Sequence, residues 1–336
     1  MTILTLINNN LSMDIDTDGG RIVSFKLNGH ESLVQEGIQV GSTFWPAPQS
    51  LWGWPPPKVL DADEYQIIEH SVDKIVLLSQ LDPGLNVQVE KTLIKFGESI
   101  QVQYKLINRS DKAINMAAWE ISRLEGGVTF YDSTDELEPQ STLAIEQVGA
   151  TQWYDYQPQN FDVTYNVLET PKPYLKVVLW NEYRLDDQIL SEHLKALSKQ
   201  HPKEQSVLGF KQIKQNQRFD FKPNLFIHDP DVFKIFGNGS SGWLANANNG
   251  LLMIKSFDKV VKADVSVGES EIEIYAHHDA DQAYIEIEQQ SKFVEIAAND
   301  SFVWPVNWSL LELKSSQKAQ SGNEALVELV KSHLKL

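Results

Sequence analysis

Apolar and polar residues alternate along much of this chain with a period of two. Leu11-Ser12-Met13-Asp14-Ile15-Asp16 alternates, Gly19-Gly20 turns, and Arg21-Ile22-Val23-Ser24-Phe25-Lys26-Leu27 alternates again before the hairpin signal Asn28-Gly29. Successive side chains of a strand face opposite sides of its sheet, so this pattern predicts half-buried strands. Further strands are expected at 65–70, 74–80, 86–95, 99–108, 113–122, 128–131 and 175–180, with Asp82-Pro83-Gly84 and Phe96-Gly97-Glu98-Ser99 among the turns. The series resumes at 207–214, 218–222, 233–236, 242–245, 251–257, 263–267, 271–277, 283–288 and 304–313. Strands at this spacing, joined by turn residues, predict an antiparallel all-β sandwich rather than βαβ units. Helical spacing occurs at 187–199, through Ile189, Leu190, Leu194 and Leu197, and at 322–336, through Ala325, Leu326, Leu329, Val330 and Leu334. No shift in composition divides the chain and no short repeat recurs, so 1–336 reads as a single β domain with a few peripheral helices.

One stretch breaks the alternation: Thr43-Phe44-Trp45-Pro46-Ala47-Pro48-Gln49-Ser50-Leu51-Trp52-Gly53-Trp54-Pro55-Pro56-Pro57. Proline fixes φ and removes a backbone donor, which argues against a helix interior or a central strand and predicts a rigid, extended loop. Such a loop either plugs one end of a core or presents aromatic faces to a ligand. Indole faces stack on the C–H faces of pyranose rings, and an amide supplies directional hydrogen bonds. Trp45, Trp52, Trp54 and Gln49 are therefore a candidate sugar platform.

Composition narrows the partners. The 336 residues are 42% hydrophobic and 22% charged, as expected of a globular protein. A formal charge of −17 leaves no basic stripe for phosphates, so a nucleic-acid partner is not expected, whereas an uncharged sugar is unaffected. Having no cysteine excludes disulfides, thiolate metal sites and cysteine nucleophiles. There is no H-E-x-x-H, phosphate-binding Gly loop or G-x-S-x-G elbow, and the adjacent His277 and His278 point to opposite faces of a strand. Neither a cofactor nor a metal is expected. The segment Met1-Thr2-Ile3-Leu4-Thr5-Leu6 does not read as a secretory leader, and no apolar run approaches the ~20 residues of a membrane helix. The expectation is a cytoplasmic protein without a membrane partner.

Tyr104-Lys105-Leu106-Ile107-Asn108-Arg109-Ser110-Asp111-Lys112 is a strand running into an Asn/Ser/Asp turn, and it leads into Ala118-Trp119-Glu120-Ile121-Ser122-Arg123. This segment resembles the aldose 1-epimerase (galactose mutarotase) superfamily. Gly19-Gly20-Arg21-Ile22-Val23-Ser24 and Ile285-Glu286-Ile287-Glu288-Gln289-Gln290 fit the same order. Within the superfamily, Gly41-Ser42-Thr43-Phe44-Trp45-Pro46-Ala47-Pro48-Gln49 with Trp52-Gly53-Trp54-Pro55-Pro56 is similar to the DUF4380 proteins. The order of motifs spans most of the chain, and the Trp/Pro stretch is its specific part.

The resemblance implies a galactose mutarotase-like β-supersandwich whose concave face binds a mono- or oligosaccharide. It also implies chemistry at the anomeric carbon, where a carboxylate takes the anomeric hydroxyl proton while a histidine protonates the ring oxygen. By resemblance to an E-x-Q context on a late strand, Glu288 is the candidate base. Glu286 shares its face and could raise its pKa, unless both lie on a solvated face like Glu271 and Glu273. The family's histidine is missing, because Trp119-Glu120-Ile121-Ser122 stands in its place. His277, with His278 beside it, is one candidate proton donor. Glu120 is another candidate acid or base, with Arg123 as its charge partner, in a functional or purely structural pair. Trp119, Arg123 and Arg21 join the substrate-binding candidates. Lys234, followed by Ser241-Gly242-Trp243, matches the DUF4380 pattern and could hold an acidic sugar or stabilise an oxyanion. The rival readings are a non-catalytic carbohydrate binder and a polysaccharide lyase or glycoside hydrolase on the same fold.

Overall fold

The alternating segments assemble into two large antiparallel sheets, seen in a computed structural model that describes residues 2–37, 40–133, 150–157, 162–164, 177–179, 233–237, 239, 241–266, 269–278, 283–320 and 322–336. Among the described residues the first sheet has eleven strands. Its order is β1 (Ile3–Asn8), β2 (Leu11–Asp16), β3 (Arg21–Leu27), β5 (Ser42–Ala47), β10 (Ile114–Leu124), β19 (Ala283–Gln290), β18 (Ile272–His278), β15 (Phe233–Gly237) and β14 (Val177–Leu179). β4 (His30–Glu31) adds to β3, and β20 (Val294–Ile296) adds to β10. Among the described residues the second sheet has ten strands. They run β13 (Asp162–Thr164), β12 (Ala150–Gln157), β11 (Gly127–Ser133), β16 (Trp243–Asn248), β17 (Leu251–Phe257), β21 (Ser301–Glu312), β9 (Ser99–Asn108), β8 (Val87–Phe96), β7 (Lys74–Leu78) and β6 (Gln66–His70).

The sheets pack face to face through the apolar half of each alternation. Phe44 of the first sheet stacks on Tyr104 of the second at 4.8 Å, and Phe25 meets Trp308 edge-on at 5.4 Å. Aromatic contacts of this kind add to the burial that drives sheet packing. The helix α2 (Glu324–Leu334) buries Leu326, Val327 and Val330. Its N-terminus is capped by the Asn323 side chain, which accepts a hydrogen bond from Ala325 N–H. Among the described residues no helix is long and apolar enough to cross a membrane.

Two local expectations are corrected. The Trp/Pro stretch does not begin as a loop, because Ser42–Ala47 is a strand beside β10, with Trp45 in register with Trp119 and Pro46 with Ala118. Proline is tolerated there because β3 pairs with β5 only at Ser42, leaving Pro46 on a locally free edge. The Pro46 carbonyl takes the Trp52 indole N–H at 2.7 Å instead of a ladder partner. Gly41 starts the strand at φ +62°, where a Cβ would lie 2.0 Å from the Ile22 carbonyl oxygen, so only glycine fits. Beyond Ala47 come a 3-10 turn at Gln49–Leu51 and the short helix α1 (Lys58–Asp61).

The second correction is at the strand expected over 263–267, whose described residues 263–266 form none. Its short alternation pairs with no strand among the described residues. The chain turns through Lys262–Asp264, closed by Asp264 N–H on Val261 O, and Asp264 O takes Phe293 N–H. The expected helix at 187–199 and the strands at 207–214 and 218–222 lie outside the described residues.

Candidate functional site

The strict alternation of β10 divides its side chains between two environments. Ala118 and its even-numbered neighbours turn toward the second sheet, and Ala118 joins Phe44, Ile285, Ile287, Ile272 and Ile274 in the inter-sheet core. The odd-numbered Ala117, Trp119 and Ile121 cluster on the outer face with Trp45 and Ala47, with Trp52 and Phe293 packed against them. Register carries this outer face across three more strands. Trp119, Ile121 and Arg123 stand opposite Gln290, Glu288 and Glu286 of β19, while Thr43 and Trp45 of β5 stand on the other side. Glu288, Glu286 and Tyr284 in turn face Glu273, Tyr275 and His277 of β18.

This face is crowded with buried charge. Glu288 accepts the Trp119 indole N–H at 2.8 Å, and both residues are buried. Arg123 donates through Nε to Glu286 Oε1 at 2.8 Å and through a terminal nitrogen to Thr43 Oγ1 at 3.2 Å. Its guanidinium also lies 5.9 Å from the centre of the Trp45 ring. A charge-assisted hydrogen bond in a desolvated setting holds the Glu286 carboxylate in one orientation. The reading of these glutamates as solvent-facing does not hold: Glu271, Glu273, Glu286 and Glu288 are all buried. Glu269 bridges the face to the Trp/Pro stretch, accepting from Gln49 N–H at 2.5 Å and from Gln290 Nε2 at 2.8 Å.

The aromatic wall is built around Trp45. Its ring meets Trp119, Trp52 and Trp54 edge-on, at 5.3, 5.8 and 5.9 Å. Asp61 at the end of α1 accepts the Trp45 indole N–H at 2.8 Å and pairs with Arg21 at 3.6 Å, so one carboxylate orients both groups. Trp54 is 64% exposed, whereas Trp45 and Trp119 are buried, so Trp54 alone of the three offers most of its ring to solvent. At the other end of the face, His277 stacks on Tyr284 at 4.8 Å, and its Nδ1 is 3.3 Å from the Tyr275 hydroxyl. Burial, reinforced by Glu286, pushes the Tyr284 hydroxyl well above its ordinary pKa.

Glu120 lies on the opposite face, between the sheets. It accepts from Tyr104, Trp308 Nε1 (3.1 Å) and Gln289 Nε2, and pairs with Lys255 Nζ at 2.5 Å. Its charge partner is therefore Lys255 and not Arg123, since residues three apart on a strand point in opposite directions. Lys255 also bonds Ser122 and sits 3.6 Å from the centre of the Trp308 ring. Burial pulls its pKa down to about 8, with Glu120 acting in the other direction.

Lys91 is another buried cation near the site. Its Nζ donates to the carbonyls of Gly19 and Gly20 at 2.9 and 2.8 Å, bracing the turn that presents Arg21. Burial lowers its pKa to about 7, opposed by Asp61. An unfolded chain keeps this lysine protonated up to about pH 10.4, so between pH 7 and that value the unfolded state binds more protons. Stability is then expected to rise with pH, by about 2 kcal/mol from pH 7 to pH 9. Urea denaturation of wild type and Lys91→Met over that range checks this; parallel pH profiles for the two proteins would contradict it.

The structure thus brings Trp45, Trp119, Arg123, Glu286 and Glu288 together, with Trp52, Trp54, Gln49 and Arg21 along one side. His277 shares the face but lies farther along it. Its register partner is Tyr284, four residues from Glu288, or ~13 Å along the strand. Lys234 holds the register position opposite Tyr275. Asp61, Glu269, Glu273, Tyr275 and Tyr284 were not singled out from the sequence. Tyr275 and Tyr284 had a usable signal, the period-two phase shared with Glu273 and Glu286; Asp61 had none.

No protein-family model matches the chain, and no curated protein sequence matches it. Solved structures match it in fold. A galactose mutarotase-like protein from Lactobacillus casei ATCC 334 has a TM-score of 0.51 at 9% identity, over 92% of this chain and 100% of that one. A galactose mutarotase related enzyme from Lactobacillus acidophilus has a TM-score of 0.51 at 8% identity, over 93% of this chain and 100% of that one. Identities this low bear on the fold alone, and what two packed antiparallel sheets and these neighbours establish is a galactose mutarotase-like, all-β supersandwich.

Proposed function

We propose that this chain binds a sugar or sugar acid on the outer face of its first sheet and catalyses mutarotase-like or epimerase-like proton transfer at the anomeric carbon. The observation that carries this reading is the Glu288 carboxylate, buried and oriented by the Trp119 indole N–H, beside the Arg123–Glu286 pair. In the proposed reaction Glu288 removes the proton of the anomeric hydroxyl while an acid protonates the ring oxygen. The ring opens, the C1–C2 bond rotates, and reclosure returns both protons. Trp45, Trp52, Trp54 and Gln49 form the wall against which the sugar packs, and Arg21 supports that wall through Asp61. The Trp/Pro stretch and the order of the other motifs support a place among the DUF4380 proteins.

A second reading, a non-catalytic carbohydrate binder, draws on the ~13 Å that separates His277 from the Glu288 row. NMR of freshly dissolved aldoses and uronic acids, with and without the protein, separates the two. Faster approach to anomeric equilibrium for one sugar is the expected result. Line broadening of one sugar without acceleration would favour the binder, and no effect on any sugar would sink both readings.

A further inference from the structure

A base on one side of the anomeric centre needs an acid within reach of the ring oxygen of the same sugar, and the register of β18 against β19 limits which side chains qualify. The pairing from Ile272–Gln289 to His278–Ala283 runs without a shift, so positions on the outer face can be counted directly. Glu273 is opposite Glu288, but it is a carboxylate already accepting from Gln290 Nε2 at 3.0 Å and Ser270 N–H at 3.2 Å. His277 is four residues beyond that row. Tyr275 lies between them, opposite Glu286 and diagonal to Glu288. Diagonal neighbours in an antiparallel pair are ~7–8 Å apart at Cα, a span that long and aromatic side chains cover.

We propose that Tyr275 is the catalytic acid of this site, donating its phenolic proton to the ring oxygen while Glu288 takes the proton of the anomeric hydroxyl. This rests on the mutarotase-like reading above. Exposure supports it: Glu273, Glu286 and Glu288 are buried, whereas Tyr275 and His277 are half-buried, so the hydroxyl lies where the face opens. The hydrogen bond between the Tyr275 hydroxyl and His277 Nδ1 (3.3 Å) gives the histidine a task that its position allows. With the proton on Nδ1, it donates to the phenolate left when Tyr275 has given up its own proton. His277 is held for this by stacking on Tyr284.

The protons balance within one cycle. As the C1–O5 bond breaks, O5 gains the Tyr275 proton and Glu288 gains the O1 proton. After rotation the phenolate recovers its proton from the O5 hydroxyl as O5 attacks C1, and Glu288 returns its proton to O1. His277 is a positioning residue that stabilises the intermediate charge and is not consumed.

The test is anomerisation kinetics of wild type, Tyr275→Phe and His277→Asn on the sugar that wild type accelerates, with sugar affinity measured in parallel by Trp fluorescence. Loss of one hydroxyl is expected to cut kcat by about 10²–10⁴-fold with affinity changed less than about threefold, as for removal of a general acid. His277→Asn is expected to cut kcat by about tenfold, also with little effect on affinity. A Tyr275→Phe rate within threefold of wild type overturns the assignment while leaving Glu288 and the reaction class intact. A wild type that accelerates no sugar overturns the reaction class, and this assignment with it. Should Tyr275→Phe lose its thermal transition, His277→Asn decides: a rate equal to wild type overturns the proposal.

Discussion

Glu288→Gln is expected to slow anomerisation by about 10²–10⁴-fold, with sugar affinity nearly unchanged. Glutamine keeps the length of the side chain, and its amide oxygen can still accept the Trp119 indole N–H that Glu288 Oε2 now accepts. What it removes is the ability to take a proton. A loss confined to kcat would mean that the group acts in the transition state rather than in ground-state binding. The readout is the rate of approach to anomeric equilibrium, with Kd from Trp quenching. A rate within threefold of wild type would remove Glu288 from the mechanism and leave the binder reading as the stronger one.

The largest expected loss of stability is at Lys255, which meets β10 from between the sheets, on the side opposite the candidate sugar face. Lys255→Met leaves the Glu120 carboxylate between the sheets with neutral donors from Tyr104, Trp308 and Gln289 but without its cation. Breaking one side of a fully buried ion pair costs about 3–5 kcal/mol, because the remaining charge is uncompensated. The double variant Glu120→Gln, Lys255→Met removes both charges and is expected to recover more than half of that loss. Denaturant unfolding near pH 7, where Lys255 still carries its proton, measures both. A single-variant loss below about 1 kcal/mol would mean that the pair is not the mainstay of the inter-sheet contact.

Much of the fold was legible in the sequence, and particular residues explain why. Period-two alternation located Leu11–Asp16, Arg21–Leu27, Ser99–Asn108 and Leu251–Phe257 with their observed limits. It missed Ile3–Asn8 and Val294–Ile296, which become strands through β2 and β10 rather than through any strong local signal. It also placed a strand at 263–267, where the described residues 263–266 turn instead of pairing with another strand. Proline chemistry ruled out a strand for the whole Trp/Pro stretch, yet Ser42–Ala47 pairs with β10 because Pro46 meets an edge that sequence spacing does not reveal.

For the candidate site the division is sharper. The sequence by itself determined the inventory: an unusually Trp- and Pro-rich segment and late glutamates sharing one strand face, although it joined Glu120 to Arg123, which the structure separates onto opposite faces. It could also say that Glu286 and Glu288 point the same way, because a strand's period is local geometry. Which residues meet was decided only by the tertiary structure, since cross-strand register links positions more than a hundred residues apart. The packing of the two sheets set Lys255 on Glu120, and that register set Arg123 on Glu286 and Trp119 beside Glu288. It also left His277 ~13 Å along the sheet from Glu288 and put Tyr275 between them. Local periodicity fixes the direction of a side chain, but long-range pairing chooses its neighbours, and the chemistry of the site depends on the neighbours.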